Sequence, residues 1–319
     1  MNKIKPILVL GANGFVGSHL VDSLIAAGFK VRAFDRFASS TVQLFDESEN
    51  IEIVAGDFLN QADIKVALSG VETVFHLVST TNPASAENDP LIDIDTNLHG
   101  SVELFKLCAE NNVKHVLFTS SGGTVYGDRF NAELIKEDDP TLPVSPYGIA
   151  KLAAENYLRY FKAKHGLDYT VFRLANPYGE RQPFWRRQGV ISIFLDKILS
   201  GEPITILGDG TMVRDYIYVK DATDMMVRAL LVRPKHDLYN IGSGVGTSVN
   251  SLADTIEKIT GLQSVRKVQE IPATFVHTSV LDTTRYINDF SFAPKIDIDL
   301  GIKMAYEYYL TQPQHHSMH

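Results

Sequence analysis

The stretch Ile7-Leu8-Val9-Leu10-Gly11-Ala12-Asn13-Gly14-Phe15-Val16-Gly17 decides the fold of this chain. Its four apolar residues predict a short buried strand, and three glycines follow before an amphipathic helical pattern begins. Gly11 permits a tight turn, Gly14 lets the backbone approach a ligand, and Gly17 lets the helix pack closely on the strand. The start of such a helix offers N–H donors and partial positive charge, an arrangement that suits a pyrophosphate.

The first half of the chain repeats this strand–helix alternation. Short runs rich in Val, Ile and Phe alternate with longer amphipathic stretches, which is typical of a parallel sheet with helices on both faces. The predicted strands are 7–10, 31–35, 51–55, 73–78, 115–120 and 169–174, and the predicted helices are 15–27, 61–68, 92–111 and 147–164. We therefore expect a doubly wound α/β domain of the Rossmann type over residues 1–175.

Beyond residue 175 the alternation becomes irregular, because prolines and glycines divide the chain into short pieces. Helices are predicted near 189–199, 220–232, 249–260 and 300–310, and strands near 204–207, 216–218 and 238–241. We expect a smaller mixed α/β lobe over residues 176–319, with returns to the first domain near 214–242. Ligands of open α/β sheets bind at the carboxyl ends of the strands, where this lobe would lie.

Composition excludes several classes of function. The chain has 319 residues, 30 basic and 38 acidic, and a net charge of −8, which argues against nucleic acid as a partner. The single cysteine, Cys108, excludes an intramolecular disulfide and a cysteine-based zinc site, and no metal is expected. No stretch approaches the roughly 20 apolar residues of a membrane span. We expect a soluble cytoplasmic protein with no membrane partner.

An acidic residue follows the glycine turn at the expected distance. The second predicted strand ends at Asp35, 21 residues after Gly14. A carboxylate there would bind the adenosine ribose and repel a 2′-phosphate, which favours NAD over NADP, although Arg36 could accept the phosphate of NADP. Asp57, after the third strand, could reach the adenine with Phe58 packed beside it. A glycine turn without a ligand, and a surface turn at Asp57, are the alternatives.

Tyr147 and Lys151 share one face of a predicted helix that Pro146 begins. A tyrosine ordinarily has a pKa near 10 and is a poor base at neutral pH. A neighbouring ammonium and a cationic nicotinamide ring would both lower the phenol pKa. The phenolate could then take a proton from a sugar hydroxyl while hydride leaves the same carbon for the cofactor. Chance occurrence of this spacing is the alternative.

These motifs stand in the order in which they occur in the extended short-chain dehydrogenases/reductases. The motifs concerned are Gly11–Gly17, Asp35, Asp57, His76-Leu77-Val78, Asn97, Ser120–Gly127, Tyr147 with Lys151, Arg173–Gln182 and Pro203–Asp221. Over roughly residues 6–310 the chain resembles the NAD-dependent nucleotide-sugar epimerase/dehydratase family. It is most similar there to UDP-glucose and UDP-N-acetylglucosamine 4-epimerases.

The resemblance implies an isomerase that inverts C4 of a UDP-sugar through a transient 4-keto intermediate, with NAD as cofactor. The sugar would be UDP-glucose/galactose or the N-acetylated pair. A nucleotide-sugar 4-reductase or dehydratase is the first alternative, and a catalytically silent NAD-binding sensor is the second. The family also forms homodimers through the helices near 92–111 and 147–164, so we expect a homodimer.

The resemblance carries site roles onto matching positions. The cofactor would contact Gly11, Asn13, Gly14, Phe15, Val16, Gly17, Asp35, Arg36, Asp57, Phe58, Leu77, Val78, Ser79, Asn97, Tyr147, Lys151 and Pro177. The substrate would contact Thr80, Thr124, Asn176, Thr205, Ile206, Leu207, Arg214, Ser279 and Asp282. Within the second set, Asn176 and Arg214 would bind the diphosphate, and the segment that includes 205–207 would enclose the base.

The chain departs from the family at two places. Gly122 stands where a Ser or Thr usually binds the reacting sugar oxygen, so Thr124, or else Ser121, is expected to supply that catalytic hydroxyl. Gly123 and Thr124 replace the Asp-Glu pair of the dehydratases, which counts against dehydration. The second departure is in residues 271–275, which lack the family's arginine. Ser279 is small where a bulky residue accompanies plain hexoses, which favours N-acetylated sugars.

Overall fold

The computed structural model describes residues 5–38, 42–81, 86–87, 89–128, 133–183, 189–272 and 274–312. The strands are β1 Ile7–Leu10, β2 Val31–Asp35, β3 Ile51–Ala55, β4 Thr73–His76, β5 His115–Ser121, β6 Asp168–Leu174, β7 Asn176–Tyr178, β8 Ile204–Leu207, β9 Val213–Tyr218, β10 Leu238–Ile241, β11 Gly246–Ser248, β12 Arg266–Gln269 and β13 Thr278–Ser279. The helices are α1 Phe15–Ala26, α2 Gln61–Leu68, α3 Pro90–Ile92, α4 His99–Glu110, α5 Pro146–His165, α6 Val190–Leu199, α7 Val219–Leu231, α8 Val249–Thr260, α9 Thr284–Phe290 and α10 Ile298–Thr311. A π-helical segment, Asp93–Leu98, joins α3 to α4.

Seven parallel strands form the central sheet, in the order β10-β6-β5-β4-β1-β2-β3. The predicted Rossmann-type fold is therefore confirmed. The strand order reverses between β1 and β4, and a ligand crevice forms at such a switch point. The glycine turn follows β1 directly, so it lies at the mouth of that crevice.

Two buried apolar clusters cover the two faces of this sheet, and a third holds the later part of the chain. The third cluster includes Phe194 of α6, Tyr216 of β9 and Leu252 of α8. Strand β9 is the centre of a small sheet that contains β7, β11 and β13. Because β7 follows β6 after a single residue, this second sheet begins at the carboxyl edge of the first.

The predicted elements agree closely with the observed ones in the first half. The main difference is β4, which ends at His76 rather than at residue 78, since the Leu77 N–H turns to the Leu10 carbonyl. The predicted helix 92–111 contains the π-helical segment. Sequence patterns missed β7, β11, β12 and β13, because these strands of two to four residues lack the apolar run that marks an equally short strand such as β1.

Helix α5 has strong local signals at both ends. The Ser145 hydroxyl accepts a hydrogen bond from the Gly148 N–H at 3.2 Å, and Pro146 occupies the first turn. At the other end Gly166 adopts φ +70°, the left-handed conformation that closes helices. These caps fix where the helix begins, and thereby the position of Tyr147 in its first turn.

A buried ion pair ties α5 to the sheet. The Arg173 guanidinium on β6 contacts the Glu155 carboxylate at 2.7 Å, and both side chains are buried. Arg173 also lies 4.6 Å from the centre of the Tyr126 ring, and Tyr126 donates to the Asn240 side chain at 2.7 Å. The network therefore joins α5, β6 and β10 behind the carboxyl edge of the sheet.

Replacing Arg173 by Met should lower the free energy of unfolding by about 3–5 kcal/mol, because Glu155 would be left as an unpaired buried charge. The double variant Arg173→Met/Glu155→Leu should regain much of that loss. Urea unfolding measures both. Lys303→Met, which removes an exposed pair with Glu307, is the control and should change stability by less than about 1 kcal/mol. Equal losses in the single and double variants would contradict the charge argument.

Candidate active site

The glycine turn is closely packed on one side and open on the other. Gly11 has φ +84°, and a Cβ on Gly17 would lie only 1.9 Å from the Gly11 carbonyl oxygen. A Cβ on Gly14 would meet just that oxygen, at 3.2 Å. No described side chain caps the start of α1, and its first turn carries no acidic residue. The free N–H groups of this helix end fit an anionic diphosphate.

The acidic residues predicted to bind the adenosine lie at neighbouring strand ends. Asp35 ends β2, and Asp57 follows β3, its partner in the sheet. The Asp35 carboxylate accepts from the Asn13 N–H at 2.9 Å and from the Arg36 N–H at 2.7 Å. The Arg36 guanidinium is exposed and lies 4.0 Å from Asp57. The Asp35 carboxylate at this strand end favours a ribose without a 2′-phosphate, because it would repel that group.

Three predicted cofactor residues have side chains engaged within the protein. Asn13 donates to the Val42 carbonyl and accepts from the Leu44 N–H, so its amide holds the loop after β2. Phe58 stacks on His76, with ring centres 5.1 Å apart. The Asn97 amide accepts from the Thr80 N–H at 2.8 Å and donates to the Thr81 hydroxyl at 2.7 Å. These contacts shape the crevice and leave few atoms of these three side chains free to contact a cofactor.

The remaining predicted cofactor positions surround the glycine turn. Leu77 and Val78 pack on it, since a Cβ on Gly11 would lie 3.3 Å from the Val78 nitrogen. Phe15 and Val16 form the first turn of α1, and Phe15 packs edge-on against His19. Ser79 continues towards Tyr147, so the crevice leads from the turn to the tyrosine.

Tyr147 and Lys151 lie together on α5, as their spacing predicts. The Lys151 ammonium lies 5.7 Å from the centre of the Tyr147 ring and donates to the Thr119 carbonyl at 3.0 Å. Burial lowers the pKa of Lys151 to about 8, with Asp93 and Glu155 opposing that shift. Burial raises the pKa of Tyr147 to about 12, against the influence of the Ser79 hydroxyl.

From the sequence, the Lys151 ammonium and a nicotinamide ring together are expected to lower the pKa of Tyr147, whereas the residues of the chain alone raise it. In the chain by itself, removal of the phenol from water outweighs any attraction to the Lys151 ammonium. The tyrosine is therefore a neutral acid in the ligand-free protein. Additional positive charge in the crevice is needed to make it a base.

Gly122, which stands where the family usually has a Ser or Thr, is closely packed, and the hydroxyl of Thr124 lies near it in the sequence. A Cβ at Gly122 would lie 2.5 Å from the Leu281 side chain and 3.1 Å from the Arg173 carbonyl, so this position faces the interior. The hydroxyl of Thr124 is buried and has no hydrogen-bond partner within the described ranges. Thr124 packs on the first turn of α5, since the Cβ position of Gly148 lies 3.2 Å from the Thr124 Cβ. Ser121 ends β5, opposite Leu174.

Asn176 and Arg214 lie beside this segment on the second sheet. Asn176 pairs with Tyr216 across β7 and β9, and its amide donates to the Asp215 carbonyl at 2.9 Å. Pro177 follows it on β7 and is partly exposed. The Arg214 guanidinium donates to the carbonyls of Val213, Val276 and His277.

The charge of Arg214 has no carboxylate partner in the part of the chain that the structure describes. Arg214 does not form an ion pair with its neighbour Asp215, because the Asp215 carboxylate accepts hydrogen bonds from the Ser243 N–H at 2.8 Å and the Ser243 hydroxyl at 2.6 Å. An unpaired guanidinium beside the crevice fits a diphosphate.

Other predicted substrate positions lie in different surroundings. Thr205 is exposed, Leu207 is partly buried, and Ile206 is buried in the third apolar cluster. Ser279 is buried, pairs with Arg214 across β13 and β9, and donates to the Gly122 carbonyl at 3.3 Å. Asp282 accepts from the Thr284 N–H at 2.8 Å, at the start of α9.

One residue of this region was missed in the sequence. Asp93, in the π-helical segment, is buried, and with Tyr147 and Lys151 it lines a small enclosed cavity. An Asp in a predicted amphipathic helix is normally exposed, so the pattern gave no signal. The π-helical turn, which local propensity does not reveal, directs this side chain inward.

The chain is similar to known proteins over most of its length. Residues 7–242 match the model of the family described as the NAD dependent epimerase/dehydratase family. The chain belongs to this family. It is an enzyme of the NAD-dependent epimerase type, and its glycine turn and Asp35 fit the cofactor after which the family is named.

Three relatives show how far the similarity extends. The UDP-glucose 4-epimerase of Mycolicibacterium smegmatis is 34% identical over 312 residues, 96% of this chain and 99% of the relative. The structure of the UDP-glucose 4-epimerase of Thermotoga maritima with UDP-glucose has 35% identity and a TM-score of 0.89, and covers 96% of this chain and 98% of that one. The UDP-N-acetylglucosamine 4-epimerase of Methanobrevibacter ruminantium, in complex with UDP-N-acetylmuramic acid, has 30% identity and a TM-score of 0.88, with 98% and 100% covered.

Two other expectations concern metals and membranes. Across the described residues, no three His, Cys, Asp or Glu side chains come together as a metal site. Among the same residues, no helix has both the length and the apolar character that a bilayer span requires.

Proposed function

We propose that this enzyme is a 4-epimerase of a UDP-sugar that uses NAD, through a transient 4-keto sugar. The observation that carries the proposal is the placement of Tyr147 and Lys151 together on α5, beside Val78, which packs on the glycine turn. The relatives described above are named for this reaction on UDP-sugars. When bound, NAD would supply the hydride acceptor and donor.

Residues of the chain would bind the cofactor and the substrate and would transfer the proton. The uncapped start of α1, with Asp35 and Asp57 nearby, would hold the dinucleotide. Arg214 and Asn176 would hold the substrate diphosphate. The Tyr147 oxygen would take the proton from the 4-hydroxyl and return it after the sugar has turned over. Lys151 would stabilise the phenolate during this exchange.

Dehydration is disfavoured by the residues before Val125. Elimination of water needs an acid and a base beside the sugar, and Gly123 and Thr124 supply neither. Reduction needs a cofactor that is consumed and replaced, whereas epimerisation leaves the cofactor unchanged overall. Product analysis without added cofactor therefore separates the two reactions.

Tyr147→Phe should reduce turnover by at least about a thousandfold, because the proton acceptor is lost while the ring remains. The assay is NMR analysis of a panel of UDP-, dTDP- and GDP-sugars incubated without added cofactor. Tyr157→Phe, on an exposed part of the same helix, is the control and should keep full activity. In a second incubation with NADH or NADPH added, net oxidation of that cofactor would indicate a reductase, and NAD binding without turnover in either incubation would indicate a sensor.

Thr124 is proposed as the hydroxyl that binds the reacting sugar oxygen, because its buried oxygen has no partner within the described ranges. Thr124→Val, which keeps the shape, should lower kcat by about ten- to a thousandfold with little change in stability. Ser121→Ala should have the smaller effect. The opposite ranking would transfer the role to Ser121.

Ser279 is proposed to admit a C2 N-acetyl group, since it is small and lies between Arg214 and the Gly122 carbonyl. The enzyme should then convert UDP-N-acetylglucosamine as well as UDP-glucose. Ser279→Tyr should reduce turnover of the acetylated sugar selectively, by tenfold or more in kcat/KM. Strict refusal of the acetylated sugar by the unmodified enzyme would remove this proposal.

A homodimer is proposed through α3, the π-helical segment and α5. Apolar side chains here, including Leu91, Ile94, Ile149 and Tyr160, are 47% to 65% exposed, and a second copy of the chain would cover them. Sedimentation equilibrium at micromolar concentration should give a dimer, and Ile149→Asp should shift it to monomer. Leu310→Asp, on exposed α10, is the control. A monomeric wild-type protein would contradict the proposal.

A further inference from the structure

Asp93 is a buried carboxylate with one oxygen uncommitted. The residue is 1% exposed and is one of two buried residues in the π-helical segment. Its Oδ1 accepts from the Thr81 hydroxyl at 2.6 Å and from the Asn97 amide. Its Oδ2 is also buried, but has no hydrogen-bond partner in the ranges described above. A buried carboxylate oxygen without a partner costs free energy unless a nearby charge compensates it.

Lys151 is a candidate for that charge, because it lines the same cavity as Asp93. Both side chains line the enclosed cavity beneath Tyr147. The Lys151 ammonium donates to one carbonyl, that of Thr119, and otherwise lies 4.9 Å from the centre of the apolar Phe118 ring. Burial lowers the pKa of Lys151, and the Asp93 carboxylate is the largest influence that opposes the shift.

The other ionisable groups around Lys151 do not serve this purpose. Glu155, one turn along α5, is paired with Arg173 of β6 at 2.7 Å. Tyr147 stays neutral because burial, with a smaller contribution from the Asp93 carboxylate, raises its pKa. His76 of β4 is fully buried, and burial holds its pKa well below the usual value, so it is neutral as well. Asp93 is thus the carboxylate near Lys151 that lacks a cation of its own among the described residues.

We propose that Asp93 is the buried counter-ion that keeps the Lys151 ammonium charged, and so acts as a positioning residue for the Tyr147–Lys151 pair. The hydrogen bonds from Thr81 and Asn97 hold the carboxylate in place, and its free oxygen faces the cavity that it shares with Lys151. The consequence for catalysis rests on the proposed function, whereas the charge pairing itself does not.

Asp93→Asn is the informative variant, because an amide keeps the Oδ1 acceptor and the side-chain shape but removes the charge. The urea midpoint of the purified protein is measured between pH 6 and pH 9.5. Below a pH of about 8 the wild-type Lys151 is charged and would use its counter-ion, so the variant should have the lower midpoint there. At higher pH Lys151 becomes neutral in the folded protein, so the difference should fall by at least half.

Asp95→Asn is the matched control, since Asp95 lies in the same π-helical segment but is exposed. Its midpoint should differ from wild type by an amount that does not depend on pH. An Asp93→Asn loss that is equally independent of pH would show a purely structural role for Asp93 and overturn the proposal.

A second comparison uses Lys151→Met, which removes the cation. In that background Asp93 is an unpaired buried charge, so adding Asp93→Asn should raise the urea midpoint instead of lowering it. This reversal of sign is specific to a charge pair. A decrease of the same size in both backgrounds would overturn the proposal, and the comparison stays decisive if Asp93→Asn alone folds poorly.

The pH dependence of enzyme activity gives an independent test of the role of Asp93. Lys151 must be charged to stabilise a phenolate, so the alkaline limb of kcat/KM should move down by at least one pH unit in Asp93→Asn. One unit corresponds to about 1.4 kcal/mol. An unchanged limb would contradict the role of Asp93. Complete absence of epimerase turnover in the wild-type protein would instead refute the proposed function and leave the stability comparisons to decide the charge pairing.

Discussion

The close contact between Gly17 and the Gly11 carbonyl is the constraint on which the rest of the site depends. A single methyl group at residue 17 would overlap that oxygen at 1.9 Å, so helix α1 can start where it does only because both residues are glycine. This start places uncapped N–H groups at the point where the sheet order reverses. The same turn contacts the end of β4 and, through the Asn13 N–H, the Asp35 carboxylate. Dinucleotide site and crevice therefore share one backbone geometry.

Buried charges near α5 determine the properties of the other end of the crevice. Buried charges are tolerated when each has a compensating partner, and the two buried cations near α5 differ in this respect. Arg173 has a direct partner in Glu155, which stabilises the joint between helix and sheet. The Lys151 ammonium donates a hydrogen bond to a carbonyl and has a carboxylate at a greater distance. Burial can therefore lower its pKa to about 8. A lysine held near its titration range responds strongly to charge that enters the crevice, as the proposed chemistry requires.

The site shows in detail where sequence inference succeeds and fails. The positions of Asp35, Tyr147 and Lys151 follow from strand ends and helical spacing, which are local properties. The roles of Asn13 and Ile206 do not, because a side chain near a ligand site can equally point into a loop or the core. At Gly122 the sequence suggests only that a hydroxyl has been lost. The structure shows that Leu281, distant in sequence, fills the space that a side chain at Gly122 would occupy.

Local sequence patterns predict the doubly wound sheet, the glycine turn and the Tyr147–Lys151 helix, because each depends on residues within one or two turns or strands of one another. Tertiary structure alone decided which charges are buried and what faces them. Burial of Asp93 follows from a π-helical turn packed on α5, and the direction of the Tyr147 pKa follows from its removal from water. Both are properties of segments brought together from distant parts of the chain, and the free energy of a charge depends on that whole surrounding.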